Sequence, residues 1–370
     1  MQIMGRLVFF CAGANPGTIS GLRPEGILVN PLQYAASDSQ TRSTLEMRDK
    51  SRAQLMLMDS GGYQLYSGEQ NGKNATCDSS KPMLFQKDSI NIAPCHVIDA
   101  AVRLKPDILT SLDSPVMIID DPYEQSYEFR KKLGFNYTWM LETATLRQKY
   151  CPQVELFIPI QCYNMYQFRT YVEKLLLDID FNGLCLPTRN MGPERLTLFL
   201  LRFYQIGIRK VHILSIANFI DLALSAYFAR HFFDWVSADA TTWRKQAEMQ
   251  NYMDANDLHT TPVGRNAGLK KVDPSLCDCP WCSIRTYSDI INTQDSDRTS
   301  ILRCHNFFVI DKACRDFYEN AGDLILYERY LRSRSERYDK KITRLITALS
   351  IATSLKDEDI SVLESLLIQS

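Results

Sequence analysis

Polar residues end five apolar runs of this sequence, and three of them are aspartates. The runs from Leu55, Ile108 and Trp235 end at Asp59, Asp113 and Asp239, and two further runs reach Gln161 and Ser215. Carboxylates in such places can act as nucleophiles or transfer protons. Taken singly, each is equally explained by a strand-ending turn, and a strand-end hydrogen bond is the simpler explanation for Ser215. The repetition predicts a shared site.

The first of these aspartates opens a turn of small residues, Asp59-Ser60-Gly61-Gly62-Tyr63-Gln64. Two consecutive glycines let backbone N–H groups approach a ligand closely. The apolar residues before Asp59 predict a buried strand. The alternative is an Asx turn that only terminates the strand.

A second group of chemically active residues is the run Cys277-Asp-Cys279-Pro-Trp-Cys282, followed by His305. Three thiolates and one imidazole form a closed tetrahedral set for a structural zinc ion. A catalytic zinc needs an open coordination position, which four protein ligands do not leave. Cys304 is a rival for the fourth ligand, although His305 is the more usual partner.

The elements that must position these residues alternate between short apolar runs and longer segments with helical spacing. This alternation predicts parallel strands joined by helices, and the number of runs favours a closed (β/α)8 TIM barrel with a small C-terminal zinc-binding subdomain. In such a barrel the active site lies at the carboxyl ends of the strands. Seven predicted strands are Gly26–Asn30, Leu55–Asp59, Ile108–Asp113, Glu155–Gln161, Gly183–Pro187, Val211–Ile216 and Trp235–Asp239, and Arg6–Cys11 is the least certain eighth.

The domain boundaries expected from this pattern are residues 1–265 for the barrel, 266–315 for the zinc-binding subdomain and 316–370 for C-terminal helices that close the barrel. The helical spacing itself is clearest in residues 163–178 and 193–206.

Composition narrows the compartment and the partners. The 370 residues carry a formal net charge of -1, so any contact with nucleic acid must come from a local basic surface. Eleven cysteines, mostly scattered through apolar runs, indicate a reducing cytoplasm. The apolar stretch Leu7–Ala14 only faintly imitates a signal peptide, and no apolar run approaches the length that spans a bilayer.

Five features in order resemble the tRNA-guanine transglycosylase superfamily, over residues 26 to 317. They are the Asp59-Ser-Gly-Gly-Tyr-Gln motif, the strand-end Asp113, the Ile160-Gln161 pair, the C-x-C-x-x-C cluster and the His305-Asn306 dipeptide. Members of that family are zinc-bearing (β/α)8 barrels that exchange a guanine in a polynucleotide for a 7-deazaguanine base.

The resemblance implies a role for each matched residue. Asp239 resembles the nucleophile that attacks the anomeric carbon, with Asp234 as its rival, and Asp59 resembles the proton shuttle. Asp113 and Gln161 resemble the pair that binds the purine edge. The implied substrate-binding residues are Ser60, Gly61, Gly62, Tyr63, Asp113, Gln161 and Leu214, the last packing on the base.

Retention at the anomeric carbon independently calls for two carboxylates, one forming a covalent glycosyl-enzyme and the other handling protons. A guanine-like base offers adjacent N–H donors to a carboxylate and a carbonyl to an amide. The target nucleotide must also leave its stack, so a single-stranded or distorted substrate is expected.

Departures from the family pattern favour DNA over tRNA. Residues 187–193 replace the glycine-rich base-binding loop of the bacterial tRNA enzymes, and Ala240-Thr-Thr-Trp243 replaces their Pro-Thr-Arg motif. These changes leave the chemistry and alter the contacts with the polynucleotide. They resemble the branch that inserts 7-deazaguanines such as preQ0 into DNA, known from phages and bacterial modification clusters, where helper proteins are to be expected.

Two alternatives remain open: a tRNA-guanine transglycosylase with an unusual loop, and a noncatalytic family member that binds nucleic acid. The resemblance suggests a homodimer, and we expect no membrane partner. Basic residues cluster in a C-terminal segment that could bind phosphates or be a solvated helix face: Arg329, Arg332, Arg334, Arg337, Lys340, Lys341 and Arg344. Arg265, Lys270 and Lys271 are a second such group.

Overall fold

Eight parallel strands form a closed barrel in a computed structural model of the chain, and the predicted (β/α)8 fold is confirmed. The structure describes residues 5–30, 38–62, 83–85, 90–175, 177–188, 191–263, 272–274 and 277–356. The strands are β1 (Arg6–Ala12), β2 (Gly26–Val29), β3 (Leu55–Met58), β4 (Met83–Phe85), β5 (Ile90–Ile92), β6 (Ile108–Thr110), β7 (Glu155–Pro159), β8 (Gly183–Pro187), β9 (Lys210–Leu214), β10 (Trp235–Ala240), β11 (Asn251–Met253) and β12 (Thr260–Pro262).

The barrel order is β1-β10-β9-β8-β7-β6-β3-β2, and β4-β5 and β11-β12 are separate two-stranded sheets. The helices are α1 (Asp38–Ser51), α2 (Pro94–Leu104), α3 (Pro122–Tyr150), α4 (Met165–Leu175), α5 (Pro193–Gln205), α6 (Phe219–His231), α7 (Thr242–Glu248), α8 (Tyr287–Asn292), α9 (Asp295–Asn320), α10 (Leu324–Arg334) and α11 (Asp339–Ser354), with a 3-10 turn at Ile19–Gly21.

The barrel strands form where the sequence is apolar without alternation, because strands that are covered on both faces bury every side chain. All five residues of β8 are buried, as are the last five of β10. Helices α2, α3 and α5 each begin with proline, whose fixed φ angle suits the first helical position. Asp121 caps α3 by accepting from the backbone N–H groups of Tyr123 and Glu124.

The chain divides into two compact units, of which the first is Gly26–Pro187. In this unit β2, β3, β6, β7 and β8 pair in parallel, with Gly26 opposite Leu55 and Ile108 opposite Glu155. The long helix α3 buries aromatic side chains here: Phe135 stacks on Trp139, and Phe129 packs against Tyr171 of α4.

The second unit comprises Met1–Glu25 and Thr188–Ser370. Strand β10 pairs in parallel with β1 on one side and β9 on the other. Phe307 of α9 contacts the rings of Phe9 on β1 and Trp243 on α7, while Phe317 further along α9 meets Phe219 at the start of α6. The same unit carries the cysteine cluster and the C-terminal helices. Among the described residues, no helix is both long and apolar enough to cross a membrane.

Candidate active site and metal centre

In the first unit, Asp113 lies just beyond β6 in a network of short hydrogen bonds. Its Oδ1 accepts from the Ser60 hydroxyl at 2.6 Å, and its Oδ2 accepts from Gln161 Nε2 at 2.6 Å. All three residues are buried. Thr110 Oγ1 in turn accepts from the Ser60 backbone N–H at 2.7 Å. The ends of β3, β6 and β7 therefore bring together three of the predicted substrate-binding residues.

The amide of Gln161 has one oriented end and one unpaired end. A carboxylate only accepts hydrogen bonds, so the contact with Asp113 fixes the Nε2 end. Gln161 Oε1 is buried and has no hydrogen-bond partner among the described residues. Because an unpaired buried acceptor is costly, this oxygen is available to a ligand that donates an N–H.

Gly61 and Gly62 give the turn after β3 its shape. Gly61 has a φ of +86°, a conformation that favours glycine. A Cβ atom on Gly62 would overlap Asp113 Oδ1 and lie 3.0 Å from the Asp113 backbone oxygen. The second glycine thus allows the turn to approach the Asp113 carboxylate closely. Tyr63, the next predicted contact, lies outside the described residues.

Asp59 stands at the end of β3 and is half-buried. Its backbone N–H donates to the Val29 carbonyl at 2.8 Å, which continues the β2–β3 ladder by one residue. Asn30 Nδ2 lies 3.4 Å from Asp59 Oδ2. The Asp59 side chain is more accessible than that of the buried Asp113.

In the second unit, Asp239 is the penultimate residue of β10, and its side chain is 10% exposed. Its Oδ1 accepts from the Ser215 backbone N–H at 2.9 Å. Ser215 has a φ of +63°, a left-handed conformation that is uncommon for serine. The predicted strand-end hydrogen bond of Ser215 is therefore present, and its acceptor is the candidate nucleophile.

His212 is a partner of Asp239 that the sequence did not reveal. It is fully buried on β9, with Nδ1 2.9 Å from Ser237 Oγ and Nε2 3.3 Å from Asp239 Oδ1. The second contact is within range of an ion pair but is too bent for a hydrogen bond, so Nε2 has no hydrogen-bond partner. The rings of Phe10 and His212 pack in a T-shaped arrangement, with their centroids 5.9 Å apart. The alternation of side chains along β9 could have revealed His212 in the sequence, because it places His212 on the same face as Leu214, a predicted substrate contact.

Asp234, the rival nucleophile, precedes the other end of β10. It is exposed, and its backbone N–H donates to the Arg209 carbonyl at 3.0 Å. Five residues of a strand separate it from Asp239, a distance of about 16 Å. The carboxyl end of β10 thus carries Asp239 and not Asp234.

Leu214, Thr188 and Trp243 lie in segments that the sequence analysis assigned to base or polynucleotide contacts, and each of them makes a contact within the protein. Leu214 is half-buried, and its carbonyl accepts from Thr188 Oγ1 at 3.2 Å. Residues 189 and 190 lie outside the description. Trp243 is fully buried and donates from Nε1 to the Ala12 carbonyl at 3.1 Å. It belongs to the core and is not available to a substrate.

The cysteine cluster forms a four-ligand site in the second unit. The side-chain donor atoms of Cys277, Cys279, Cys282 and His305 all lie within 4.8 Å of one another, and all four residues are buried. His305 Nδ1 is 3.5, 3.5 and 3.3 Å from the three sulfurs. A tetrahedral zinc ion with ordinary bond lengths separates sulfur from nitrogen by about 3.6 Å. The cluster can therefore hold a metal ion of that kind.

Contacts around the cluster orient its ligands. His305 Nε2 donates to the Met253 carbonyl at 2.7 Å, which leaves Nδ1 unprotonated and facing the sulfurs. The Tyr252 ring stacks on His305 at 3.9 Å. Asn306 accepts from the Met253 backbone N–H at 3.0 Å, and this holds β11 against α9. The hairpin β11–β12 was absent from the sequence prediction.

Cys304 does not belong to the cluster. Its half-buried sulfur points toward the backbone at Gly21, where an added Cβ would lie 3.3 Å from it. Burial raises the pKa of the Cys304 thiol to about 11. The predicted preference for His305 as the fourth ligand is consistent with this geometry.

The basic C-terminal segment is described, and part of it is paired. Arg332 binds Glu328 and Asp339, and Arg344 binds Glu194 through two nitrogens at 2.5 and 2.8 Å. The second basic group, residues 265, 270 and 271, lies outside the described residues.

No protein-family model matches the chain.

Proposed function

We propose that this protein is a base-exchanging transglycosylase that replaces guanine in DNA with a 7-deazaguanine base. The observation that carries the proposal is the Asp113–Gln161 pair. A carboxylate is an acceptor for the adjacent N–H groups of a guanine edge, and the unpaired Gln161 Oε1 can accept another N–H. The second N–H of the same amide can donate to the base carbonyl. A purine with donors and a carbonyl on one edge satisfies both groups.

The geometry of Asp239 supports its role as nucleophile. Ser215 and His212 both engage Oδ1, whereas Oδ2 has no hydrogen bond among the described residues. In the first step an oxygen of Asp239 bonds to the anomeric carbon while the bond from that carbon to the base nitrogen breaks. The electron pair of this bond goes to the departing guanine, which takes a proton from Asp59.

In the second step the incoming 7-deazaguanine gives its ring N–H proton to Asp59. Its nitrogen attacks the anomeric carbon, and the ester bond to Asp239 breaks with its electron pair returning to the carboxylate. Two displacements at one carbon retain the configuration. A zinc ion held by the four ligands of the Cys3His cluster would have no open coordination position, so we assign it a structural role and route no step through it.

We propose DNA over tRNA because this chain lacks two motifs of the bacterial tRNA enzymes that it resembles. Residues 187–193 replace their glycine-rich loop, and residues 240–243 replace their Pro-Thr-Arg motif. Residues 240–243 run into α7, and the side chain of Trp243 is in the core. The target must leave its stack to reach the strand ends, so single-stranded or locally opened DNA is the proposed substrate.

The test is base exchange with radiolabelled guanine or a 7-deazaguanine, offered in parallel to DNA and to bulk tRNA. We expect label in DNA alone. Label in tRNA alone would move the protein to the tRNA branch, and no label in either with binding intact would indicate a noncatalytic nucleic-acid-binding protein.

Asp239→Asn supplies the mechanistic control. It should abolish exchange while leaving polynucleotide binding intact, and Asp234→Asn should exchange normally. Undiminished exchange by Asp239→Asn would overturn the assignment of the nucleophile.

A further inference from the structure

A cluster of cations surrounds the connection between α10 and α11. We call it the basic turn and define it as Arg334, Arg337, Lys340, Lys341 and Arg344. The sequence left two explanations for it, a phosphate-binding surface or an ordinary solvated helix face. The position of the basic turn in the fold and the ion pairs of its members distinguish these two explanations.

Side-chain contacts fix the basic turn at the start of α6. The Tyr338 ring stacks on Phe219 with centroids 5.5 Å apart and planes 22° apart. Phe219 follows β9 by only a few residues, and Ser215 in that connection donates to Asp239. The basic turn therefore lies at the carboxyl end of β9, which is the end that carries the candidate nucleophile.

Helices α10 and α6 run in opposite directions, and this agrees with that placement. Ala321, before α10, accepts from His231 at the end of α6 at 2.6 Å. Tyr327 in the first turn of α10 donates to the Ala223 carbonyl at 2.8 Å. The last turn of α10 is thus carried toward the beginning of α6, and the basic turn follows from there.

The positive charges of the basic turn face outward, whereas their acidic partners are buried. Arg344 and Arg337 have side chains 55% and 51% exposed, and their partners Glu194 and Asp257 are each only 12% exposed. The exposed acids of the same stretch are Glu336 and Asp339, and Arg332 already binds Asp339.

Three members of the basic turn have no ion pair among the described residues. Arg334 donates only to the carbonyls of Ala255 and Asn256, at 2.5 and 3.2 Å. Lys341 lies over the Tyr338 ring at 5.6 Å and within electrostatic range of the half-buried Asp221, and Lys340 is exposed. Arg337 and Arg344 are thus paired with acids, whereas Arg334, Lys340 and Lys341 form no ion pair among the described residues and keep their charge for a ligand.

We propose that the basic turn binds the phosphate backbone of single-stranded DNA next to the exchanged nucleotide. The inference rests on the proposed function, because it supplies the polynucleotide contact that the replaced motifs no longer provide. Phosphates are spaced regularly along a strand, so a row of outward cations on a rigid helical turn can follow them without reading sequence.

The experiment compares Lys340→Gln/Lys341→Gln with a control, Arg209→Gln/Arg230→Gln, that also removes two cations. Arg209 directly precedes β9 and Arg230 lies in the last turn of α6, so both are far along these elements from the basic turn. Binding of a fluorescent single-stranded DNA oligonucleotide is measured by anisotropy over a salt series, and thermal unfolding checks that each variant is folded. Loss of two phosphate contacts should reduce the slope of log K against log salt by about 1.4 and weaken binding about tenfold at low salt. The control should retain the wild-type slope.

An unchanged slope and affinity in Lys340→Gln/Lys341→Gln, or an equal loss in the control, would overturn the proposal, as would wild-type protein that binds no single-stranded DNA. Preference for tRNA at this surface would also overturn it. Binding is scored separately from exchange. Salt-dependent binding through the basic turn without any exchange would therefore refute the proposed enzyme and leave the binding surface standing.

Discussion

At the scale of single residues, the carboxylates of Asp113 and Asp239 are held by different kinds of partner. Asp113 receives side-chain donors on both oxygens, from Ser60 and Gln161. Asp239 Oδ1 accepts a hydrogen bond from the Ser215 backbone N–H, and Nε2 of the buried His212 lies 3.3 Å from the same oxygen. In the proposed reaction, the first arrangement fixes a carboxylate that binds the base, and the second leaves Oδ2 of the nucleophile without a hydrogen bond among the described residues.

His212 gives the sharpest residue-level prediction. His212→Gln can keep an N–H near the place of Nε2, whereas His212→Asn keeps one only near Nδ1. If Nε2 orients Asp239, exchange by His212→Asn should fall about 10- to 100-fold in kcat with KM unchanged, and His212→Gln should recover much of the loss. Steady-state exchange kinetics measure this. Equal kinetics for the two variants, at equal thermal stability, would assign His212 to packing alone.

At the scale of elements, the strand ends and their turns place the functional groups. The turn after β3 can reach Asp113 only because residue 62 has no side chain. The network therefore depends on the backbone path as much as on the hydrogen-bonding residues themselves.

Gly62→Ala should lower stability by about 1–3 kcal/mol and abolish exchange, because the new Cβ forces the turn away from Asp113. Gly134→Ala is the matched control in the same unit. Gly134 lies inside α3, and an added Cβ there meets nothing within 4 Å. That change should leave exchange intact and stabilise the protein by about 0.5–1 kcal/mol. Urea unfolding and the exchange assay test both, and normal exchange by Gly62→Ala would contradict the close approach.

The end of α6 predicts a pH dependence. His231 Nε2 donates to the Ala321 carbonyl, and its ring packs against the tilted ring of Tyr227 with centroids 4.3 Å apart. Burial lowers the pKa of His231, the carbonyl contact opposes the shift, and the nearby charges of Lys356 and Arg230 add to it.

The unfolded chain therefore binds a proton at His231 more readily than the folded protein does. This group contributes stability above its unfolded pKa of about 6.5, and that contribution is lost as the pH falls through the folded value. Between pH 7.5 and 5.5 the wild type should lose more unfolding free energy than His231→Gln, which retains a donor to Ala321. Urea unfolding at both pH values measures the difference, and equal losses would exclude His231 as the cause.

At the scale of the whole molecule, apolar runs predicted the barrel well. The run Gly183–Pro187 coincides with β8, and Arg6–Cys11, the least certain strand, is β1. These succeed because a strand buried on both faces must be apolar along its length.

Other features escaped prediction because they depend on residues far apart in the sequence. His212 within Val-His-Ile-Leu looks like a core residue until Ser237 and Asp239 are placed beside it. The hairpin β11–β12 is three residues per strand, too short for a periodic signal, yet it supplies the carbonyl that orients His305. The domain boundaries predicted at residues 265 and 315 stay a prediction.

The metal centre is where distant parts of the second unit depend on one another. Its ligands come from the segment of residues 277–282 and from α9, and β11 orients the histidine. An unfolded chain does not present this geometry, so a metal ion held there would bind the folded protein and stabilise it by mass action. We expect one zinc ion per chain by elemental analysis. Cys279→Ser should lose it and unfold on the order of 10 °C lower.

Cys304→Ser is the matched control, because it removes a neighbouring thiol that lies outside the cluster. It should retain the metal and its thermal stability. Retention of zinc by Cys279→Ser together with its loss in Cys304→Ser would show that Cys304, and not Cys279, is a metal ligand. If the metal acts structurally, Cys279→Ser that is kept folded at low temperature should still exchange bases. Loss of exchange in such folded protein would instead bring the metal centre into the chemistry.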